Sequence, residues 1–263
     1  MKPDYKNWFP KGMIYGLFAG TAVCIVLFFI FLLGGFISNG TLKIVLAIAF
    51  GTASIAMIGF SIWGVKMHNA FSYNGKRQMS KQIIEGVARH VAIPDGGKGL
   101  DVGCGSGALA IACAKRNPKA EVIGIDRWGK EYASFSKNIC ENNAKAEGVS
   151  NTTFATGDAL HLDFEDESFN AVFSNYVYHN IIGHNRQEIL LETLRVLKNG
   201  GTFAIHDIFS KSKYGDMEAF LKKLKDMGYK SAELIDTTNG MFMSKSEARW
   251  MMLSGSALLK GVK

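Results

Sequence analysis

Two long apolar stretches near the start of the chain dominate its pattern of hydrophobic and polar positions. Between Lys11 and Lys66 the only charged residue is Lys43. Each of the two intervals is long enough to cross a hydrocarbon core of about 30 Å as a helix. We therefore predict two transmembrane helices, about Met13 to Ile37 and Leu42 to Val65.

A short polar turn, Ser38 to Thr41, separates the two stretches, so they should form a hairpin whose outer ends lie on the same side of a membrane. A cleaved signal peptide is the alternative for the first stretch. Its apolar run, however, exceeds the roughly 7–15 residues of such a segment, and a second stretch follows at once. Basic residues gather at the outer ends: Lys2, Lys6 and Lys11 before the hairpin and Lys66, Lys76, Arg77 and Lys81 after it. The positive-inside rule then places both termini and the rest of the chain in the cytoplasm.

After the hairpin, short apolar runs alternate with amphipathic stretches. Apolar residues recur at helical spacing over 79–91, 128–139, 186–197 and 217–227. Strand-like runs lie at 99–102, 122–126, 152–155, 168–175, 202–207, 232–236 and 256–262. This alternation predicts an α/β fold built on a doubly wound sheet.

The first strand-like run leads directly into a glycine-rich turn. Asp101 is followed by Gly103, Gly105 and Gly107, and the strong helix formers of 108–114 come next. Glycines are needed where a backbone takes positive φ or lets a ligand approach closely, so the turn is a candidate nucleotide cradle. The G-x-G-x-G spacing differs from the G-x-G-x-x-G of dinucleotide binders and favours another adenosyl ligand, with a nicotinamide-dependent oxidoreductase as the alternative.

Four further motifs follow along the chain. Asp126 ends the second strand, where a carboxylate can accept hydrogen bonds from both ribose hydroxyls of an adenosine. The others are 157–159, 168–175 and 194–203. In this order the segments resemble the class I S-adenosylmethionine-dependent methyltransferases, most closely the small-molecule branch with the ubiquinone, menaquinone and sterol enzymes. The resemblance covers roughly Met79 to Lys263.

The resemblance implies a Rossmann-like sheet of seven strands with the last pair antiparallel, and S-adenosylmethionine as cofactor. Together with the hydropathy pattern, it divides the chain into three regions: a membrane hairpin at 1–66, a juxtamembrane linker and cap helix at 67–94, and the methyltransferase domain at 95–263. Cofactor roles carry over by position: Asp101, Gly103, Gly105 and Gly107 to the methionyl end and ribose side, Asp126 to the ribose hydroxyls, Asp158 and Ala159 to the adenine edge, and Asn175 to the methionyl or methyl end. Arg127 or Trp128, directly after the ribose-binding acid, would flank the adenine.

Several aromatic residues near these motifs have two interpretations. Trp128 either belongs to the apolar stripe of the helix after the second strand or forms an adenine wall. Phe71 and Tyr73 either close over the cofactor, as the segment before the first strand does in the resembling family, or anchor at the membrane interface.

Methyl transfer requires orientation of two reactants more than an elaborate catalytic apparatus, since proximity alone supplies about 7–11 kcal/mol of barrier lowering. No catalytic triad is visible. His179, in the stretch after the fourth strand, is the candidate base that takes a proton from the acceptor. Its alternative is a structural role, and His184 and His206 are weaker candidates. We predict no metal site.

Charge and cysteine usage narrow the range of functions. Part of the formal charge of +7 comes from the basic residues that flank the hairpin. The lysines after the fifth strand form either a face that binds anionic lipid headgroups or a solvated helix face. The proline-and-aromatic motif of nucleic-acid amine methyltransferases is absent after the fourth strand, which argues against a nucleic-acid substrate. The four cysteines form no C-x-x-C pair and suit a reducing compartment.

The sequence thus predicts a membrane-anchored methyltransferase that acts on a small, lipophilic acceptor such as a quinone, isoprenoid or lipid headgroup. A tether confines the active site to the bilayer surface, where such acceptors are concentrated. The alternative from another class is a tethered cofactor-binding protein without turnover.

Overall fold

The computed structural model describes residues 2–35, 37–129 and 134–263. The chain divides into two compact units. One holds the residues up to Lys6 together with Lys81–Lys263, and the other is Asn7–Ser80. Phe36 and Tyr132, which the sequence pattern assigned to helices, lie outside the described residues.

The smaller unit is a helical hairpin of α1 (Lys11–Leu33) and α2 (Gly40–Phe71). Both helices are long and apolar enough to cross a membrane. α1 ends four residues before the predicted Ile37, because two glycines at 34–35 follow Leu33 and glycine is a poor helix former. α2 begins earlier than predicted, because the Asn39 side chain accepts a hydrogen bond from the Leu42 amide at 3.1 Å.

α2 also continues six residues beyond the predicted Val65. Its last turns are packed within the hairpin unit: Met67 and Phe71 are buried, and the Phe71 ring lies 5.5 Å from that of Trp8. The packing of Met67 and Phe71 explains why the helix continues past its predicted end.

The two helices meet through small and hydroxyl-bearing residues, a common arrangement between helices in membranes. The hydroxyls of Thr21 and Ser61 are hydrogen-bonded across the hairpin at 3.0 Å. Gly20 faces the Met57 side chain, and a Cβ there would come within 2.8 Å of it. The outward surface is apolar, with exposed residues that include Tyr15, Val23, Leu33, Ile44, Ile48, Ile55 and Phe60.

The base of the hairpin is joined by polar contacts. Nδ2 of the Asn7 side chain donates to the His68 carbonyl at 2.8 Å, and Nδ1 of His68 is hydrogen-bonded to the Phe9 carbonyl at 2.7 Å. Phe9 also packs edge-on against Trp63. Residues 7–9, which precede α1, are thereby held beside the end of α2.

The larger unit contains one seven-stranded sheet in the order β3-β2-β1-β4-β5-β7-β6. Strands β1 to β5 are parallel, whereas β7 pairs antiparallel with both β5 and β6. The strands are β1 (Lys98–Val102), β2 (Glu121–Asp126), β3 (Thr152–Thr156), β4 (Phe169–Asn175), β5 (Leu197–Ile208), β6 (Ser231–Asp236) and β7 (Ser256–Val262). The predicted fold class is confirmed.

Helices connect the strands and supply part of the core. They are α3 (Met79–Ala88), α4 (Ala108–Arg116), α5 (Lys137–Ala146), α6 (Arg186–Arg195), α7 (Lys211–Tyr214), α8 (Met217–Asp226) and α9 (Lys245–Trp250), with a 3-10 turn at Tyr178–Asn180. Leu190 and Leu194 of α6 share one buried cluster with Phe220 of α8 and with Leu100 and Val172 of the sheet.

Three local predictions in this unit were wrong. α6 ends at Arg195 and β5 begins at Leu197, because an irregularity in the β4–β5 pairing lets Leu197 pair with Phe169 ahead of the predicted strand start. α5 begins only at Lys137, with the Ser136 side chain accepting from the Ile139 amide at 3.3 Å, so Trp128 lies outside it. The short helices α7 and α9 were not predicted.

Candidate active site

The glycine-rich loop joins β1 to α4 at the carboxyl edge of the sheet. Gly103, Gly105 and Gly107 all have positive φ, of 75°, 55° and 80°. A Cβ on Gly103 would come within 2.4 Å of the Val177 side chain, whereas a Cβ on Gly105 would meet nothing within 4 Å. Gly103 is therefore required for packing against the segment after β4, and the Gly105 backbone borders open space where a ligand can approach.

Asp126, at the end of β2, is hydrogen-bonded to this loop. Its Oδ2 accepts from the Gly105 amide at 2.9 Å, and its Oδ1 accepts from the Trp128 amide at 2.8 Å. Each carboxylate oxygen has further acceptor capacity. The Trp128 indole donates to the Gly105 carbonyl at 2.9 Å. Trp128 thus lies over the loop and outside α5, which excludes the helical-stripe interpretation of this residue.

Asp101 is the most unusual group in the site. Its side chain is buried, and among the described residues its Oδ2 has no hydrogen-bond partner. Burial raises the pKa of this carboxyl to about 8; the Ala110 backbone amide opposes the shift, and the nearby charge of Asp126 adds to it. A buried, unsatisfied carboxyl beside an open glycine loop is suited to a cationic ligand.

The end of β3 brings Asp158 toward Arg127. The Asp158 Oδ1 accepts from the Leu160 amide at 2.9 Å within its own turn, and its Oδ2 lies 3.9 Å from the Arg127 guanidinium. Both side chains are about half exposed, which makes the ion pair weak. Ala159 is partly buried against the core of the sheet.

Asn175, the last residue of β4, is held from β5. Its Oδ1 is hydrogen-bonded to Nδ1 of His206 at 2.8 Å, and Nε2 of His206 is hydrogen-bonded to the Thr237 hydroxyl at 3.0 Å. Burial lowers the pKa of His206 to about 3, so this imidazole is neutral. His206 therefore supports Asn175 from within the core.

His179 lies in the 3-10 turn after β4 and pairs with Asp207 near the end of β5. Nδ1 of His179 is 2.5 Å from Oδ1 of Asp207, and the His179 amide donates to Oδ2 at 3.2 Å. Burial acts to raise the pKa of Asp207, but hydrogen bonds from His179 and the Ile208 amide outweigh it and lower the pKa below its usual value. Sequence reasoning missed Asp207, although an acid at the end of an apolar strand was the signal that had identified Asp101 and Asp126.

The carboxyl ends of β1 to β5 therefore collect the predicted residues at one edge, since parallel strands end on the same side of a sheet. His184 is exposed in the loop after β4. Within residues 2–35, 37–129 and 134–263, no cluster of three or more His, Cys, Asp or Glu side chains is placed to hold a metal ion.

A contact from the start of the chain also reaches the glycine loop. The Ser106 hydroxyl donates to the Tyr5 carbonyl at 2.9 Å. The Asn143 side chain pairs with the backbone of Asp4, accepting from its amide at 2.7 Å and donating to its carbonyl at 3.0 Å. The sequence carried no signal for this contact.

Comparison with known proteins agrees with the geometry. Residues 93–254, more than half of the chain, match the family described as Methyltransferase domain. A demethylmenaquinone methyltransferase of Staphylococcus aureus is 33% identical over 138 residues, which make up 52% of this chain and 52% of that protein. An arsenite methyltransferase of Halobacterium salinarum is 32% identical over 118 residues, 44% of this chain and 28% of that protein. The chain thus spans about half the length, or less, of these relatives.

Two solved structures share the fold at low sequence identity. A geranyl diphosphate methyltransferase has a TM-score of 0.56 and 13% identity, covering 74% of this chain and 81% of that one. The cyclase SpnF has a TM-score of 0.54 and 20% identity, and the match covers 71% of this chain and 82% of the cyclase.

The residues present also fit the cofactor of such a family. S-adenosylmethionine carries a sulfonium, an ammonium and a ribose diol, and the site offers the unsatisfied carboxyl of Asp101, the acceptor oxygens of Asp126 and an open loop at Gly105. The chain therefore belongs to the methyltransferase domain family, with S-adenosylmethionine as its cofactor.

Proposed function

We propose that this protein is a membrane-anchored methyltransferase that transfers the methyl group of S-adenosylmethionine to a lipophilic small-molecule acceptor. The proposal rests on one observation: the same chain contains a methyltransferase domain and a helical hairpin whose outward surface is apolar. In the most apolar window of α1 no residue is buried, and in that of α2 only 17% are. A core helix of a soluble protein would bury most of these side chains, so the exposed belt favours a bilayer.

The direction of the hairpin is supported by two independent features. Basic residues flank its outer ends, as the positive-inside rule expects of cytoplasmic segments. In addition, Asp4 and Tyr5, which precede α1, are hydrogen-bonded to Asn143 and Ser106 of the methyltransferase domain. The segment before α1 and the domain must then occupy the same side of the membrane, and we infer that this side is the cytoplasm.

Within the site, we assign Asp126 to the ribose hydroxyls and Asp101 to the cationic methionyl end. The backbone of Gly103, Gly105 and Gly107 cradles the ligand between them. Arg127, Asp158 and Ala159 border the adenine, and Asn175, fixed by His206, faces the methionyl end. The indole of Trp128 supports the loop from the adenosine side.

The relatives support a quinone-type acceptor over a metalloid. The name of the Staphylococcus aureus relative assigns it demethylmenaquinone, a membrane-soluble substrate. Arsenite is a soft species that binds thiolates, the reactive form of cysteine. Near this site burial raises the pKa of the Cys104 thiol well above its usual value, and Cys140 is also buried. Neither thiol is suited to bind arsenite.

The proposal is tested by comparing two acceptors that differ only in membrane solubility. Full-length protein in liposomes is supplied with methyl-labelled S-adenosylmethionine and either demethylmenaquinone or the same naphthoquinone ring without its isoprenoid tail, each in oxidised and reduced form. We expect at least tenfold faster labelling of the tailed acceptor, because the bilayer concentrates it beside the site. Equal rates for both acceptors, or transfer to arsenite alone, would contradict the proposal.

A further inference from the structure

His179 and Asp207 form a dyad to which we have assigned no cofactor role. The side chain of Asp207 is fully buried, and that of His179 is 15% exposed. Oδ1 of Asp207 also accepts from the Ile208 amide at 2.6 Å. A carboxylate that is hydrogen-bonded on both oxygens, and whose pKa is lowered, remains ionised and fixes the orientation of the imidazole.

This contact determines which ring nitrogen is basic. Because the Asp207 carboxylate accepts a hydrogen bond, Nδ1 of His179 must carry the proton. Nε2 then keeps its lone pair, and the described residues offer it no hydrogen-bond partner. It is the nitrogen left to accept a proton from a substrate.

The backbone around the dyad is fixed from two sides. The Arg186 guanidinium donates to the carbonyls of Tyr178 and His179 at 3.1 and 3.3 Å, and to the Lys213 carbonyl at 3.1 Å. On the other side Val177 packs against Gly103 of the cofactor loop. The dyad is therefore held rigidly next to the cradle.

The other titratable groups around the dyad do not compete as bases. Tyr176 and Tyr178 before it, and Tyr214 of α7, have raised pKa values, first because of burial and further because of the Asp207 charge. His206 is neutral because burial lowers its pKa. Arg186 of α6 carries a permanent positive charge.

We propose that His179 is the general base of the reaction and Asp207 its positioning residue, so that the acceptor is a protic nucleophile: an enol or phenol that reacts at oxygen, or a hydroquinone whose ring carbon becomes nucleophilic when a hydroxyl loses its proton and whose ring proton returns to that oxygen after methyl transfer. This inference rests on the proposed methyl transfer. The acceptor gives its proton to Nε2 and its electron pair to the methyl carbon. The carbon–sulfur bond breaks with its electrons remaining on sulfur, and the imidazolium later releases the proton to water.

Nuclear magnetic resonance of the full-length protein in detergent, labelled with 15N-histidine, tests the dyad without any turnover. We expect His179 in the Nδ1-protonated tautomer, and loss of this preference in Asp207→Asn. The exposed His184 should be unaffected by that substitution. His179 in the Nε2-protonated tautomer would overturn the proposal, whatever the activity of the protein.

Kinetics test the catalytic role separately. His179→Asn should lower label transfer into the lipid extract of native membranes by roughly 10²–10⁴-fold. Its residual rate should rise with pH as hydroxide replaces the base, and its S-adenosylmethionine affinity should stay within about twofold by calorimetry. His184→Asn is the matched control. If the wild type transfers label and His179→Asn equals it, the base assignment is wrong while the proposed function stands. If the wild type transfers no label, the proposed function fails. The NMR measurement of the His179 tautomer then remains as the test of the His179–Asp207 hydrogen bond.

A second inference comes from the contact of Asp4 and Tyr5 with the cofactor loop. The buried Asn143 recognises the Asp4 backbone through both polar atoms of its amide, and its Nδ2 also donates to the Ser106 carbonyl at 3.0 Å. The Tyr5 hydroxyl donates to Glu147 at 3.2 Å. The segment is thus joined to the glycine loop itself through Ser106 and to α5 through Asn143.

We infer that this segment, which precedes the membrane helices, stabilises the binding conformation of the glycine loop and is in turn stabilised by the cofactor. The reciprocal effect follows because a coupling free energy acts equally on both binding events. Residues ahead of α1 thereby become part of the cofactor site.

Asp4→Pro tests this inference because it removes the amide that donates to Asn143, together with the exposed carboxylate that pairs with Lys6. In the full-length protein we expect S-adenosylmethionine affinity to fall about three- to tenfold by calorimetry, with an unchanged melting temperature. Tyr5→Phe, which removes the hydroxyl that donates to Glu147 and keeps the backbone contacts, should have a smaller effect. The cofactor should also slow proteolysis of residues 2–6 in the wild type. Unchanged affinity in Asp4→Pro, or no protection by the cofactor, would overturn the inference.

Discussion

The amide of Gly105 donates a 2.9 Å hydrogen bond to Oδ2 of Asp126, which joins the glycine loop after β1 to the end of β2. The acid that we assign to the ribose therefore also shapes the cradle. One side chain fixes the loop conformation and presents its remaining lone pairs to a diol, so cofactor binding requires little rearrangement of the loop.

Substitution of Asp126 separates these two tasks. If Asp126 binds the ribose as we propose, Asp126→Ala removes two charge-assisted hydrogen bonds to it, each contributing about 1.5–3 kcal/mol at most, together with the support of the loop. S-adenosylmethionine affinity should fall by more than about tenfold. Asp126→Asn keeps one acceptor oxygen and should lose less. Calorimetry with S-adenosylmethionine, S-adenosylhomocysteine and NAD measures the affinities. Unchanged affinity in a folded Asp126→Ala variant would contradict the ribose assignment, and binding of NAD alone would favour an oxidoreductase.

Asp101→Asn should stabilise the protein while weakening cofactor binding. The folded pKa of about 8 lies above the ordinary value, so folding requires a bound proton at any pH between the two. Wild-type stability should fall as pH rises through this range, and Asn carries no such cost. Melting temperatures of the full chain in detergent should favour Asp101→Asn by a margin that widens from pH 5 to pH 8. A margin that does not change with pH would show that Asp101 is not buried in its protonated form.

Cofactor binding by the wild type should release a proton at pH 7. A cationic ligand stabilises the ionised form of Asp101 and lowers its pKa in the complex. Affinity should therefore rise with pH until about pH 8 and then level off. Calorimetry in buffers of different ionisation enthalpy measures the released proton, and Asp101→Asn should release none.

His206 should produce the opposite pH dependence of stability. Its folded pKa of about 3 lies below the ordinary histidine value, so below about pH 6.5 the unfolded chain binds a proton that the folded chain excludes. Wild-type stability should therefore decline as pH falls from 6.5 toward 3. His206→Gln should be less stable than the wild type at pH 7. Its stability should, however, fall less than that of the wild type on acidification. Thermal denaturation of both proteins from pH 4 to pH 8 compares the two slopes, and parallel slopes would contradict the assignment.

Membrane topology can be mapped with reporters in the full-length protein. Fusions ahead of residue 2 and after residue 263 should read on the same side, because Asp4 and Tyr5 are bound to the methyltransferase domain, and the basic residues that flank the hairpin predict that this side is the cytoplasm. A reporter at Gly40, the start of α2, should read as external. Opposite readings for the first two fusions, or release of the protein by carbonate, would exclude the hairpin.

The residues that we assign to the cofactor could be proposed from the sequence because they belong to local patterns. Asp101 and Asp126 lie at the carboxyl ends of apolar strands, and the three glycines stand at a regular spacing between a strand and a helix. Such patterns depend on neighbours in the chain, which is why their positions in the fold were predicted correctly.

Contacts between distant segments were not accessible in this way. His179 meets Asp207 across 28 residues, and their pairing depends on the register of β4 and β5, which an irregularity near Phe169 and Ala171 alters. Asp4 meets Asn143 across 139 residues through backbone atoms that every residue possesses. Neither relationship leaves a periodic signal.

The most direct test of the account follows the methyl group in native membranes. Membranes that contain the full-length protein are incubated with methyl-labelled S-adenosylmethionine, and the label is divided among organic-solvent extract, protein and water-soluble products. We predict that label enters the organic extract, and that membranes carrying the Asp126→Ala variant show little of it. Label confined to water-soluble products or protein, or an extract equal to that of membranes lacking the protein, would contradict a membrane-anchored enzyme with a lipophilic acceptor.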